Sequence, residues 1–316
     1  MIAEGRTWAQ VARGPGVPAR MDNNRAVVKT FGPAAFPLER VLAAKGDRTV
    51  TVCIPAHDEV RTVGAVVGAV VGAHLAAAGG SGLVDEVLVI DDGSSDPTGD
   101  VAARAGARVH RLAARTGKGG AMQAGVEVAS GDVLVFLDAD VENTTGAFVT
   151  SLLGPLLEDD VALVKGFYAR PLGDAPTGGG RVTELMARPI LEVLFPHLAG
   201  VRQPLAGETA THRWVIEKVG LAAGYGVEIA LLVDVAARLG VGAIAQVDLG
   251  TRVHRNRPLD ELRPLATEVF RAAWARAQST GGTGGTGGTG GTGGTGGTAG
   301  TTGLDPPHES PRGGDR

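Results

Sequence analysis

From Thr49 to Asp140 the chain alternates short apolar runs with segments of helical period, and three of the four runs end in acidic residues. Thr49 to Ile54, Val84 to Ile90, Ala107 to Leu112 and Val133 to Leu137 read as strands; Asp58 to Ala78, Pro97 to Ala105 and Gly119 to Ala129 read as helices. Strands that are apolar at nearly every position need cover on both faces, and intervening helices supply it when neighbouring strands run parallel. The pattern therefore predicts an α/β fold, a Rossmann-like, mostly parallel sheet with helices on both faces. Ligands of such sheets bind beyond the carboxyl ends of the strands, where the acidic residues stand.

Downstream of Asp140 the alternation loosens. A helix is expected near Gly146 to Leu157 and a strand near Val161 to Phe167. The turn Gly178-Gly179-Gly180 follows, then helices from about Thr183 and from Tyr225 to Leu239, and a strand from Ile244 to Leu249. The last regular segment, Leu259 to Ala277, places Leu259, Leu262, Leu265, Val269, Phe270 and Trp274 on one helical face, a stripe that fits either the core or a second copy of the chain. Leu38 to Lys45 has the look of a short helix. Residues 1–36 show no sustained period and are expected to form a poorly specified arm. Residues 279–316 hold 16 of the 50 glycines, mostly in six Gly-Gly-Thr triplets from Gly281 to Thr298, and are expected to form a flexible tail.

Charge and composition narrow the partners. A net charge of −4 gives no overall positive field for nucleic acid or an anionic membrane. The single Cys53 lies inside an apolar run, which suits a buried, inert thiol and a reducing cytoplasm. Glu4 and Arg6 interrupt the apolar core that a secretory signal would need. Val63 to Gly80 has the length of a membrane span but consists mostly of Ala, Gly and Val around His74, so a buried helix is expected and no span.

The strand ends carry His57-Asp58-Glu59, Asp91-Asp92 and Asp138-Ala139-Asp140. Carboxylates gathered on one edge repel unless a cation or donors offset them, and a divalent metal is the simplest partner. Residues two apart in an extended segment point the same way, so Asp138 and Asp140 can approach one Mg²⁺ or Mn²⁺ whose shell diphosphate oxygens would complete; capping of a following helix is the competing role. Lys118, flanked by glycines before a helix, can contact a phosphate or simply lie in a solvated turn, and the spacing is not that of a P-loop. Gly178 to Thr183 joins bare backbone, Arg181 and a hydroxyl at a helix start, suited to a phosphate or carboxylate, or to an ordinary cap. Arg252 to Arg257 suits an anion, and His254 within it could offer imidazole to a metal or be structural. Glu228 falls on the edge of the apolar stripe of Ile229, Leu232, Ala236 and Leu239 and so points inward, although an acid in a first helical turn is also favoured by the backbone dipole.

Pro55-Ala56 followed by Asp58-Glu59, then Asp91 to Asp96 (DDGSSD) and Asp138-Ala139-Asp140, resemble the nucleotide-sugar half of GT-A-fold glycosyltransferases. Val164 to Pro171 (VKGFYARP), Gly178 to Leu185 (GGGRVTEL), Gly224 to Ile229 (GYGVEI) and Ala245 to Pro258 (AQVDLGTRVHRNRP) narrow this. From about Pro37 to Ala277 the chain is similar to the glucosyl-3-phosphoglycerate synthases. The resemblance implies a GT-A fold with a smaller acceptor-binding region; residues 37–140 would be the nucleotide-sugar-binding half and 141–278 the acceptor-binding half and C-terminal helix. It implies glucose transfer, with retention, from UDP-glucose or another NDP-glucose to 3-phosphoglycerate, at the start of glucosylglycerate or methylglucose lipopolysaccharide synthesis, by a cytoplasmic homodimer.

Carried over position by position, Pro55, Ala56, Glu59, Asp92 and Lys118 would hold the uridine, and Asp138, Asp140 and His254 the metal and diphosphate. Gly180, Arg181, Thr183 and Asn256 would hold the acceptor, and Tyr225 and Glu228 would flank the sugar. The chain departs from the family at His57-Asp58, usually Leu-Asn, at Asp92, often serine, and slightly at Arg202 to Glu208, RQPLAGE. Front-face attack is favoured over a covalent intermediate, since no second carboxylate is evidently paired with Glu228. An inverting GT-A enzyme with another acceptor, a sugar nucleotidyltransferase and a non-catalytic nucleotide-sugar-binding protein are the alternatives.

Overall fold

The computed structural model describes residues 27–74, 82–159, 161–172, 175–178, 180–253 and 258–281. His254, Asn256, the Gly-Gly-Thr repeats after Gly281 and the first 26 residues of the expected arm lie outside them. An eight-stranded sheet organises the chain in the order β1-β10-β6-β9-β5-β2-β3-β4. Its strands are β1 (Lys29–Phe31), β2 (Val50–Ala56), β3 (Glu86–Asp91), β4 (Arg108–Arg111), β5 (Val133–Phe136), β6 (Leu163–Ala169), β9 (Thr209–His212) and β10 (Ile244–Thr251); β7 (Pro171–Leu172) and β8 (Ala175–Gly178) form a separate hairpin. The α-helices are α1 (Leu38–Lys45), α2 (Val63–His74), α3 (Thr98–Arg104), α4 (Gly117–Val128), α5 (Gly146–Glu158), α6 (Arg188–Leu194), α7 (Arg213–Val219), α8 (Val227–Leu239) and α9 (Leu259–Gly281).

The apolar runs become strands because both faces are covered. Val52, Ile54, Val89, Val133 and Val135 pack in one cluster with Val63, Val66 and Val70 of α2 and Leu152 of α5. The alternate residues Cys53, Leu88, Ile90, Leu134 and Phe136 pack in another with Ala121, Met122 and Val126 of α4. Burial pushes the Cys53 thiol up to about 12, so it packs as a small apolar group. Among the described residues no single helix is long and apolar enough to cross a membrane.

Four features depart from the sequence expectations. Within the arm of residues 1–36, Lys29–Phe31 pairs in parallel with Ala245 to Val247, an element too short to leave a period-two pattern. The helix expected from Asp58 begins at Val63, because Asp58 takes φ +54 and its carboxylate accepts the backbone N–H of Ser95 at 2.7 Å, tying the β2 loop to the β3 loop. The helix from Thr183 starts as a π-turn, Thr183–Ala187. The fourth is the set of elements with no counterpart among the expected ones: the β7–β8 hairpin, α7 and β9.

β9 runs antiparallel between β5 and β6, with Phe136 opposite Thr209 and Lys165 opposite Thr209. Its sequence, Thr-Ala-Thr-His, has no apolar run; Thr211 lives in the core because its hydroxyl donates to the Ala162 carbonyl at 2.8 Å. Reversal puts the start of β9 at the edge where the parallel strands end. Glu208 therefore joins the acidic residues that follow β2, β3 and β5.

Candidate active site

At that edge lies a cavity of about 500 Å³. Pro55, Ala56, Glu59, Asp92, Lys118, Asp138, Asp140, Gly180, Arg181, Thr183, Tyr225 and Glu228 all line it. These are all the site residues expected from the sequence except His254 and Asn256, which lie outside the described residues. On the β2–β3 side Glu59 donates its backbone N–H to Thr98 Oγ1 at 2.8 Å, which fixes the turn. Asp92 uses both carboxylate oxygens on the loop before α4, accepting Thr116 N–H at 2.6 Å and Gly117 N–H at 2.8 Å. These bonds hold the Lys118 loop in place; Gly117 at φ +79 supplies the left-handed turn.

Lys118 Nζ lies 2.6 Å from Asp138 Oδ1 and 2.5 Å from Glu228 Oε1. Burial alone would lower its pKa, but the two carboxylates raise it well above the ordinary lysine value. Arg252, only 4% exposed, reaches Asp138 Oδ2 at 2.9 Å and Asp140 Oδ1 at 2.7 Å with Nη2, and Glu208 Oε1 at 3.1 Å with Nη1. Burial would push the Asp138 carboxyl up; Lys118 and Arg252 instead hold it well below the usual carboxylate range, ionised at neutral pH.

Two guanidinium groups lie over the Tyr168 ring, Arg170 at 5.0 Å and Arg252 at 5.2 Å from its centre. Its hydroxyl donates to Glu208 Oε2 at 2.8 Å and accepts from Arg170 Nη2 at 2.9 Å. Beside Arg170, Gly180 takes φ +72, and its carbonyl accepts Glu184 N–H at 3.0 Å at the start of the π-turn. Thr183 is buried at that start. Tyr225 is held by its backbone, whose N–H donates to Glu268 Oε2 of α9 at 2.7 Å. Leu262, Leu265 and Val269 of α9 close the cavity, whereas Leu259, Phe270 and Trp274 are exposed, so the expected single stripe is two faces with different tasks.

The donor set suits a divalent metal. Asp138 and Asp140 lie on the same Arg252 nitrogen, so their oxygens converge on one locus. In this network Lys118 and Arg252 pair directly with Asp138, Asp140, Glu208 and Glu228, and the buried Lys165 lies close enough to interact with Glu228, Glu208 and Asp138. Among the described residues no group of three or more His, Cys, Asp and Glu forms a complete ligand cluster. Two carboxylates leave most of the shell of a hard, oxygen-preferring cation to phosphate oxygens and water.

Sequence reasoning named no role for Glu208, Tyr168, Arg170 or Lys165. Lys165, mid-strand in β6 and buried, donates to Thr209 Oγ1 at 3.0 Å and to the Ala206 carbonyl, bracing the turn that delivers Glu208. A charged residue inside the apolar run Val161 to Phe167 was the available signal, since such a residue survives burial only with partners.

Residues 51–194 match glycosyl transferase family 2. The chain is 47% identical over 263 residues to the glucosyl-3-phosphoglycerate synthase of Mycolicibacterium paratuberculosis, covering 78% of each chain. It is similar to the crystal structure of the Mycobacterium tuberculosis glucosyl-3-phosphoglycerate synthase in complex with Mn²⁺, UDP-glucose and phosphoglyceric acid, with TM-score 0.73 and 41% identity over 80% of this chain and 89% of that one. A second structure of that enzyme holds Mg²⁺ and UDP, with TM-score 0.72 and 41% identity over 79% of this chain and 87% of that one.

Proposed function

The chain belongs to the glucosyl-3-phosphoglycerate synthase family, and from that premise we propose that the two walls of its cavity divide a retaining glucosyl transfer between them. The reaction moves glucose from UDP-glucose to 3-phosphoglycerate with a divalent metal, Mg²⁺ or Mn²⁺, giving glucosyl-3-phosphoglycerate and UDP. Residues 37–140 hold the nucleotide: Pro55, Ala56 and Glu59 on the uridine side, with Asp92 fixing the loop that carries Lys118. Residues 141–278 hold the acceptor, through Gly180, Arg181 and Thr183 together with Asn256. Asp138 and Asp140 hold the metal with His254, and the metal supplies Lewis-acid stabilisation of the departing diphosphate. The convergence of all twelve described residues on one cavity carries this reading.

Tyr225 and Glu228 flank the sugar. Lys118 ties Glu228 to Asp138, so the group that orients the glucose is braced against the group that binds near the diphosphate. The same ion pair makes Glu228 a poor nucleophile, because its charge is already shared with an ammonium 2.5 Å away. That supports front-face attack, in which the acceptor hydroxyl gives its proton to a leaving diphosphate oxygen and retention follows without a covalent intermediate. The protein contribution is orientation: two walls fix donor and acceptor at one point and remove the entropy of their encounter.

In this reading the enzyme acts in the cytoplasm as a homodimer, and its product feeds glucosylglycerate or methylglucose lipopolysaccharide synthesis. Purified chain incubated with UDP-glucose, 3-phosphoglycerate and Mg²⁺ or Mn²⁺ is expected to release UDP, to stop on addition of EDTA, and to give an α-linked product by NMR coupling. Asp140→Ala is expected to abolish metal-dependent UDP-glucose binding. Absence of turnover with any common nucleotide sugar would refute the proposal, and a β-linked product would turn it toward an inverting enzyme.

A further inference from the structure

The acceptor poses a charge problem that the cradle described above does not solve. A phosphate monoester carries about −1.5 to −2 at neutral pH, and 3-phosphoglycerate adds a carboxylate. Arg181 brings a single positive charge to the wall that also holds Gly180 and Thr183. A small trianion withdrawn from water needs more than one guanidinium.

Arg170, directly after β6, lines the same cavity as Gly180, Arg181 and Thr183. It runs alongside the bare backbone of Gly180: a Cβ on that glycine would lie 3.1 Å from Arg170 Cδ and 3.3 Å from Nη1. The side chain is already fixed by stacking on Tyr168 and by the Nη2 bond to the Tyr168 hydroxyl. Its buried Nε has no hydrogen-bond acceptor, and among the described residues no carboxylate forms an ion pair with it. Arg252, on the same tyrosine ring, shows the contrast, since it is neutralised by Asp138, Asp140 and Glu208.

A guanidinium held rigid in a cavity without a counter-ion is costly unless a ligand brings one. Resting on the acceptor reading above, we infer that Arg170 is a second anion-binding and specificity-determining residue for the acceptor, paired with Arg181 across Gly180. A fixed fork beside a bare backbone matches the planar or tetrahedral oxyanions of the acceptor. Gly180 is then required twice, for its left-handed φ and because a side chain would crowd the Arg170 stem.

The test compares wild type with Arg170→Ala and Arg170→Gln, the second keeping a polar side chain of partial length while removing the charge. The expected result is a rise of about tenfold or more in the KM for 3-phosphoglycerate, with the Kd for UDP-glucose in Mn²⁺ within twofold of wild type. D-glycerate, the acceptor without its phosphate, identifies the contact. A penalty that vanishes with glycerate places Arg170 on the phosphate, and one that persists places it on the carboxylate. A purely structural role would move both constants together or neither, and either pattern in a folded variant overturns the inference. A wild-type chain that releases no UDP with 3-phosphoglycerate would instead sink the underlying reading. Should Arg170→Ala not fold, Arg170→Gln decides.

Discussion

Lys165 is a charged side chain, 1% exposed, inside a strand of the central sheet. Burial lowers its pKa from the ordinary lysine value to about 8, with Glu228 pulling it back up. Below pH 8 both folded and unfolded chains carry the proton, and the cost of burying the charge is present in full. Between about pH 8 and pH 10 the unfolded chain binds more protons than the folded one, so this residue makes stability rise with pH by an amount on the order of 3 kcal/mol. Lys165→Met should therefore flatten the rise in melting temperature between pH 8 and pH 10 relative to wild type. Scanning calorimetry across that range checks it, and an unchanged slope would mean the ammonium finds water. At this scale the sequence exposed Asp138 and Asp140 because an apolar run leads straight into them. It concealed Glu208, whose partners Tyr168 and Arg252 lie 40 and 44 residues away in the chain. Only tertiary structure brings those charges together.

β9 shows the same limit among elements. The inner parallel strands β2, β3 and β5 were legible because residues buried on both faces leave continuous apolar runs, and their boundaries fall close to the expected ones. Thr209–His212 left no such trace, because its threonines satisfy themselves by hydrogen bonding rather than by hydrophobicity. Its consequence for the site is concrete: reversal of direction carries Ala206-Gly207-Glu208 directly beneath the strand end of β5. A Cβ on Gly207 would collide with the Asp138 carboxylate. Gly207→Ala should thus displace Asp138 from Lys118 and Arg252. We expect a stability loss of about 1–3 kcal/mol from overpacking and a weakening of metal-dependent UDP-glucose binding of tenfold or more, read by denaturant titration and calorimetry. Wild-type affinity in this variant would show that the β9 turn does not set the position of the carboxylate.

For the molecule as a whole, α9 connects the site to the surface. Its inner face contributes Leu262, Leu265 and Val269 to the cavity wall, and Glu268 holds the backbone of Tyr225. Its outer face presents Phe270 and Trp274, 44% and 46% exposed and stacked with ring centres 6.0 Å apart, together with Leu259. Leu185 and Val193, on the neighbouring π-turn and α6, are also exposed. A stacked pair of large exposed aromatic rings such as Phe270 and Trp274 is unfavourable in water and suits a contact surface. If the homodimer proposed above buries this face, association and catalysis would share one helix. Trp274→Glu places a charge in that contact and should shift the protein from dimer to monomer in sedimentation velocity at micromolar concentration. Because the helix then loses its outer support, UDP-glucose affinity should fall in the monomer while the eight-stranded sheet melts as before. A wild-type chain that sediments as a monomer would overturn the dimer, and a monomeric Trp274→Glu variant with undiminished affinity would separate the helix's outer face from its inner one.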